Sequence, residues 1–372
     1  MSTTTLKPAH VPAPSLALPL ADAGWRTAGL ALLSVRFIQG FIYWGGGSRR
    51  FIYAPSKLDA WGGHSWMAHK FHTAMPGALL GLDKVIGFLL QHFALLYVSV
   101  ILFSAAELIA GLFLMLGLFT RASALVSMGF SVVLMLMFGW QGATCIDEWT
   151  MAAANLAMGS TLLLAGSGGY ALDNLRLARN PALAERPSFR WMSGSLPLPL
   201  DERRFRALAL ALLAFVAFFD VSTYSYYRGS VVTPFHGGPV SPTKHHVTMS
   251  NGALMPDGSV RFHAYLDAGT PEAPSHIVDA ALLTAGGGGV VAHWDTKALT
   301  TLPKAAIVND FDYQQFKPGP FGITAGVGAM ATITLPPAPV PGAAPLTGAG
   351  YVLRLTSANN HVFTLPLPAA TH

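Results

Sequence analysis

Gly45 to Lys57 reads GGGSRRFIYAPSK and closes an apolar run that begins at Trp25. Three successive glycines predict the end of a membrane-length helix at this point. Arg49 and Arg50, the aromatics Phe51 and Tyr53, and Lys57 follow within ten residues. Fixed positive charge where a helix leaves a bilayer predicts a holding place for a small anion beside a lipid-facing site.

The composition supports a membrane setting for this stretch. Of 372 residues, 52% are hydrophobic and 11% charged, with a mean hydropathy of +0.45, whereas a soluble domain carries roughly 25% charged residues. Net charge is +5 and the pI is near 9.3. The basic residues cluster beside apolar segments, which points to membrane topology and away from nucleic acid. Cys145 is the sole cysteine, which excludes an intramolecular disulfide, a cysteine-held iron–sulfur cluster and covalent haem.

Outward from the opening stretch, residues 1–24 are proline-punctuated and predicted to be a disordered tail. Trp25 to Gly47 is long enough to cross roughly 30 Å of hydrocarbon. His92 to Phe119, Ala122 to Trp140 and Trp149 to Gly168 predict three further spans, which makes 25–170 a four-helix bundle. Trp44, Trp140 and Trp149 stand at span ends, where interfacial aromatics belong. Residues 171–204 form a basic linker carrying Arg176, Arg179, Arg186, Arg190, Arg203 and Arg204, which places it in the cytoplasm. Phe205 to Thr223 is a fifth, anchoring span. Loops 48–91 and 141–148, and all that follows residue 223, are then outside. The outer loop 48–91 breaks the charge rule with Arg49, Arg50, Lys57, Lys70 and Lys84; anion binding explains this, and pairing with Asp59, Asp83 or lipid headgroups is the alternative.

From 224 to 372 the pattern changes to short alternating runs between glycine and proline turns. Val260 to Leu266, Ile277 to Leu283, Val290 to Trp294, Gly322 to Leu335, Tyr351 to Leu355 and Val362 to Leu365 predict strands, with a hairpin turn at Ser357 to Asn360. About seven short strands predict an all-β, immunoglobulin-like sandwich.

Several groups could carry chemistry. Arg36 and Glu107 are charges deep in the spans and are expected to meet across a helix interface, since an unpaired charge there costs about 2.5–3.5 kcal/mol. The pair could exchange protons with a quinone headgroup or simply fix helix register. Cys145, just before a predicted helix, is either a reactive thiol or inert. His69 and His72, with His64 nearby, could face one way on a helix as proton carriers; no carboxylate or thiolate stands at ligand spacing, so no metal is expected. The histidines of the terminal region, among them His236, His245, His246, His263, His276, His293 and His361, read as surface residues. The glycine run 286–289 is a turn between strands and lacks a phosphate-loop context.

The block RFIQGFIYWGGGSRRFIYAPSKLD (Arg36 to Asp59), the Glu107-bearing span and ATCIDEW (Ala143 to Trp149) resemble the DoxD part of thiosulfate:quinone oxidoreductase. The fifth span with the β-rich region is similar to the DoxA part, which implies a fused DoxDA protein. The resemblance implies a multi-pass protein of the cell inner membrane, with a periplasmic C-terminal domain, that joins two thiosulfates into tetrathionate and passes two electrons to a membrane quinone. It supplies a substrate for Arg49, Arg50 and Lys57, and a proton or charge role for Glu107. Cys145 would carry a thiosulfonate or line the pocket, and Arg36, Tyr43, Trp44 and Glu107 would surround the quinone headgroup. The expected partners are thiosulfate, quinone and the lipid bilayer, with self-association left open and no haem, flavin or cluster. A non-catalytic membrane anchor or assembly subunit of a redox complex is the alternative implication.

Overall fold

A computed structural model describes residues 20–61, 63–141, 148–228, 241, 244–285, 289–342 and 350–368. A helical N-terminal region is followed by a C-terminal antiparallel β domain. The first expected span is two helices, α1 (Leu20–Ala31) and α2 (Leu33–Ser48), divided at Leu32.

The glycine triplet does not end α2. The helix runs through Gly45, Gly46 and Gly47, then widens into a π-helical turn, Arg49–Tyr53, closed by the Ala54 amide on the Arg49 carbonyl at 2.6 Å. The reason is packing against α5 (Phe93–Leu116). A Cβ on Gly47 would lie 2.6 Å from the Leu108 amide nitrogen, and one on Gly40 would lie 2.7 Å from the Gly111 carbonyl. Glycine here serves close approach between helices rather than termination.

Three helices among the described residues are long and apolar enough to cross a membrane: α5, α6 (Thr120–Phe138) and α10, which covers Glu202–Arg228. α7 (Glu148–Ala165) packs between α6 and α10 and fills the place of the expected fourth span. Two shorter helices, α3 (Met67–Ala74) and α4 (Leu82–Gln91), occupy the loop ahead of α5.

Residues 171–204, expected as a linker, form an ordered cap on the bundle as far as residue 200 and then enter α10. They fold into α8 (Leu172–Arg179), a short 3-10 turn and α9 (Pro187–Met192) before α10 begins. Arg121, fully buried, holds this cap by donating to the carbonyls of Leu163 at 3.0 Å, Arg190 at 2.9 Å and Leu196 at 2.9 Å. Asp173 accepts from the Phe119 amide at 2.7 Å and from Arg176 at 2.9 Å. A buried guanidinium needs every donor satisfied, so these carbonyls are bound into the bundle's end.

The β domain contains β1 (His246–Leu254), β2 (Val260–Ala268), β3 (Ser275–Thr284), β4 (Val290–Trp294), the short helix α11 (Thr296–Thr300), β5 (Ile307–Asn309), β6 (Lys317–Gly319), β7 (Gly322–Ala325), β8 (Met330–Leu335), β9 (Tyr351–Ser357) and β10 (Val362–Leu367). One sheet has the order β1-β2-β8-β5; the other is β10-β9-β3-β7-β6, with β4 also paired to β3. Phe262, Leu266 and Ile333 of the first sheet and Leu282, Leu353 and Leu355 of the second share one core.

Gly322 to Leu335, expected as one strand, is divided between the sheets. Gly328, at φ +95°, turns the chain between them and donates to the Leu266 carbonyl at 2.9 Å. Strands β1, β5 and β6 were not expected; β5 and β6 have three residues each, too few to show alternation.

The two regions meet at the loop ahead of α5. Tyr227, at the end of α10, donates to the Leu136 carbonyl at 3.1 Å, and Trp140 joins the β core while donating to the Ala74 carbonyl at 3.0 Å.

Candidate functional site

At the end of the bundle opposite the Arg121 cap lies a cavity of about 660 Å³. Its walls come from α2, the π turn, α3, α4, α5, α6 and the start of α7. Ile86, Leu90, Leu96, Phe103, Phe130 and Met137 make most of it apolar, and Arg49, Arg50, Lys57 and Lys70 gather against Glu107 and Glu148. Four basic side chains against two acidic ones leave an excess of positive charge facing an apolar interior.

The π turn sets the two arginines apart. Arg50 reaches inward to Glu107, which is 8% exposed, in a close ion pair. Its guanidinium also lies 3.5 Å from the Ser104 hydroxyl and 5.9 Å from the centre of the Phe103 ring. Arg49 stays exposed at the mouth. Lys70 pairs with Glu148 at 2.5 Å and sits 5.2 Å over Phe138. Among the described residues, neither Arg49 nor Lys57 forms an ion pair. Burial, together with repulsion from Arg49, Arg50 and Lys70, pulls the Lys57 ammonium below its ordinary pKa, as expected where cations converge.

The expected pairing of Arg36 with Glu107 does not occur. Arg36 donates to the carbonyls of Ser167, Gly169 and Tyr170, the last at 3.0 Å. Register decides this. Gly46 is the α2 residue packed against Glu107, whereas Arg36 lies beside Gly117, and ten helical residues separate Arg36 from Gly46 by roughly 15 Å. Trp44 is also displaced from the site: its ring tilts against Phe41 at 5.8 Å and it does not line the cavity.

Tyr43 does line the cavity with its ring, but its hydroxyl points into the bundle, donating to the Ser127 carbonyl at 2.8 Å beside the Ser131 hydroxyl at 2.9 Å. Gln39 extends this network, donating to the Ser127 hydroxyl at 3.0 Å and the Asn155 carbonyl at 2.8 Å. Sequence reading passed over Gln39, Asn155 and the two serines. Their signal was polar side chains recurring at helical spacing inside apolar runs. Lys70 and Glu148 were also missed as site residues, because their meeting joins α3 to the start of α7, 78 residues away in sequence.

Cys145 lies outside the described residues, as do the rest of 142–147 and His236. Glu148, which follows that segment, lines the cavity. His69 and His72 do share a side of α3, and it faces the β domain: the His69 ring meets Tyr313 edge-on at 5.4 Å, and the His72 ring meets Phe311 at 4.8 Å. Among the described residues no three His, Cys, Asp or Glu side chains come together as a metal site. In the β domain His246, His263 and His293 each contact a carboxylate, those of Asp267, Asp310 and Asp279.

Residues 31–197 match the family model described as TQO small subunit DoxD. The DoxD segment contains every described residue that lines the cavity and ends before α10 begins. It relates the helical region to a membrane subunit of thiosulfate:quinone oxidoreductase. The β domain falls outside it.

Proposed function

We propose that the protein is a membrane-bound thiosulfate:quinone oxidoreductase that makes tetrathionate on the periplasmic side of the inner membrane. The balance is two thiosulfate dianions, one quinone and two protons giving tetrathionate and quinol. A bond forms between two sulfane sulfurs, and each thiosulfate gives up one electron. The observation that carries this reading is a cavity within the DoxD segment that joins a cationic mouth, whose Arg49 and Lys57 form no ion pair among the described residues, to an apolar interior.

Thiosulfate suits the mouth. Arg49 offers a forked donor and Lys57 a point charge, and together they offset the repulsion between two dianions. Bringing the sulfurs into line could supply roughly 7–11 kcal/mol of the barrier at best. The cavity's volume falls within the roughly 300–1,000 Å³ of ordinary ligand sites, and its apolar walls fit a quinone ring. When bound, quinone supplies the two-electron acceptor. The Arg50–Glu107 pair, where charge gives way to apolar wall, orients its carbonyl end and places a carboxylate where a proton is needed, and the Tyr43 ring forms a wall. Arg36 and Trp44 have no part in this site.

The wider arrangement we propose is a four-span bundle of α1–α2, α5, α6 and α7 with α10 as a fifth span. The arginine-bearing cap lies in the cytoplasm. The cavity mouth and the β domain, read as the immunoglobulin-like DoxA part, lie in the periplasm. The antiparallel sequence of helices supports that sidedness, since Arg121 contacts the cap at one end and Tyr227 the β-domain junction at the other.

Purified protein in detergent, supplied with thiosulfate and a soluble quinone, tests the reading: quinone reduction with tetrathionate formation is expected. Cys145→Ser at wild-type turnover rejects a covalent route. The family's description as a small subunit supports a second reading, that of a non-catalytic anchor or assembly subunit. Silence of the pure protein, relieved by an added redox partner, favours it.

A further inference from the structure

The helix α3 is used on two opposite sides. Met67, Lys70 and Phe71 face the cavity. On the other side His69 and His72 meet the β domain, and the helix is fixed there at several points. Gln314 donates to the His69 carbonyl at 3.3 Å. Tyr313 and Phe311 close on the two imidazoles. Gly328 packs so tightly on the His72 carbonyl that a Cβ would collide with it, and its φ of +95° disfavours any other residue. The His72 ring is fully buried, with the Gly328 and Tyr313 backbones as its polar neighbours.

A two-turn helix has little stability of its own. α3 has eight residues and stands between 3-10 turns at Gly63–Ser65 and Met75–Gly77. Its position is set by what it packs on, and Lys70 moves with it.

We propose that the β domain completes the cationic end of the cavity through α3: the Phe311–Gln314 loop and Gly328 hold His69 and His72, and so hold Lys70 where it reaches Glu148. His72, Gln314 and Gly328 are positioning residues, and Lys70 is the side chain they place. The ligand side of this proposal rests on the reading of the cavity as an anion site; the mechanical side does not.

The test uses full-length protein in detergent with two variants. Gly328→Ala drives a methyl group into the His72 carbonyl, and Gln314→Ala removes one side-chain bond without straining the backbone. The first readout is the rate of amine acetylation at Lys70 relative to Lys84, followed by mass spectrometry. Freed from α3's fixed position, Lys70 is expected to react about threefold faster or more. The second is thiosulfate turnover, where KM is expected to rise about fivefold with kcat little changed. Lys70→Ala should reproduce the KM change, Lys70→Arg should recover most of it, and adding Gln314→Ala to Lys70→Ala should change nothing further. Wild-type Lys70 reactivity in Gln314→Ala and in folded Gly328→Ala overturns the proposal. If the wild-type protein neither binds nor oxidises thiosulfate, the functional reading fails while the acetylation result still decides the coupling.

Discussion

Arg50 and Glu107 form a charge pair whose burial makes each dependent on the other. Removing one partner of a buried pair leaves the other charge uncompensated, at a cost of about 3–5 kcal/mol, whereas replacing both with apolar groups is close to neutral. Arg50→Ala is therefore expected to lower the unfolding temperature markedly, and Arg50→Met with Glu107→Leu to restore most of it without restoring quinone reduction. A double variant that regains turnover would remove the pair from the chemistry. Arg49 and Lys57 should behave differently, because neither is ion-paired among the described residues. Alanine at either is expected to raise thiosulfate KM about tenfold, the value of one charge-assisted hydrogen bond, with unfolding unchanged. Residue type alone pointed to Arg49, Arg50, Lys57 and Glu107, since charge next to an apolar run has few explanations. It could not give Arg36 its partner. That depends on α2 lying with Gly46 against Glu107, a long-range register that no local pattern encodes.

Among the elements, α2 shows most plainly how a local signal can be overruled. Glycine ends helices where a left-handed residue is needed, but Gly45 to Gly47 are helical, and two of them form a surface for α5. Gly47→Ala is expected to force α2 and α5 apart and cost about 2–3 kcal/mol, because a backbone atom is in the way. Gly46→Ala meets the Glu107 side chain, so it should cost less in unfolding temperature and more in turnover. α3 allows a different measurement. Burial pushes the His72 imidazole down to about 4 from 6.5, so the folded protein keeps it neutral where the unfolded chain binds a proton. Stability is then full above pH ~6.5 and falls as pH drops towards 4, by about 3 kcal/mol across that window. Thermal unfolding followed from pH 7 to 4 should show this slope, and His72→Phe, which keeps a ring against Phe311, should flatten it. The spacing of His69 and His72 was visible in the sequence; what they face was not, because Phe311 and Tyr313 lie some 240 residues downstream.

At the scale of the whole molecule, composition revealed the helical and β regions, whereas the boundary expected at 224 falls inside α10, which continues to Arg228. The ordered cap of 171–200 was hidden. Its arginines suit a cytoplasmic linker equally well, and what ties it down is distant in sequence: Arg121, and the Phe119 amide on Asp173. Sidedness can be measured directly. In a Cys145→Ser background, single cysteines at Ser56 and Thr270 are expected to react with an impermeant thiol reagent in intact spheroplasts. One at Arg179 should react only after lysis. Labelling of Ser56 and Arg179 from the same face would invert or break the proposed topology.

The Arg121 guanidinium occupies the far end of the bundle, bonded to three carbonyls, and the cavity stands at the other end. On the proposed reading, the solute therefore comes and goes through a single charged doorway, so its traffic stays within one compartment and only electrons pass on, to an acceptor that arrives through lipid.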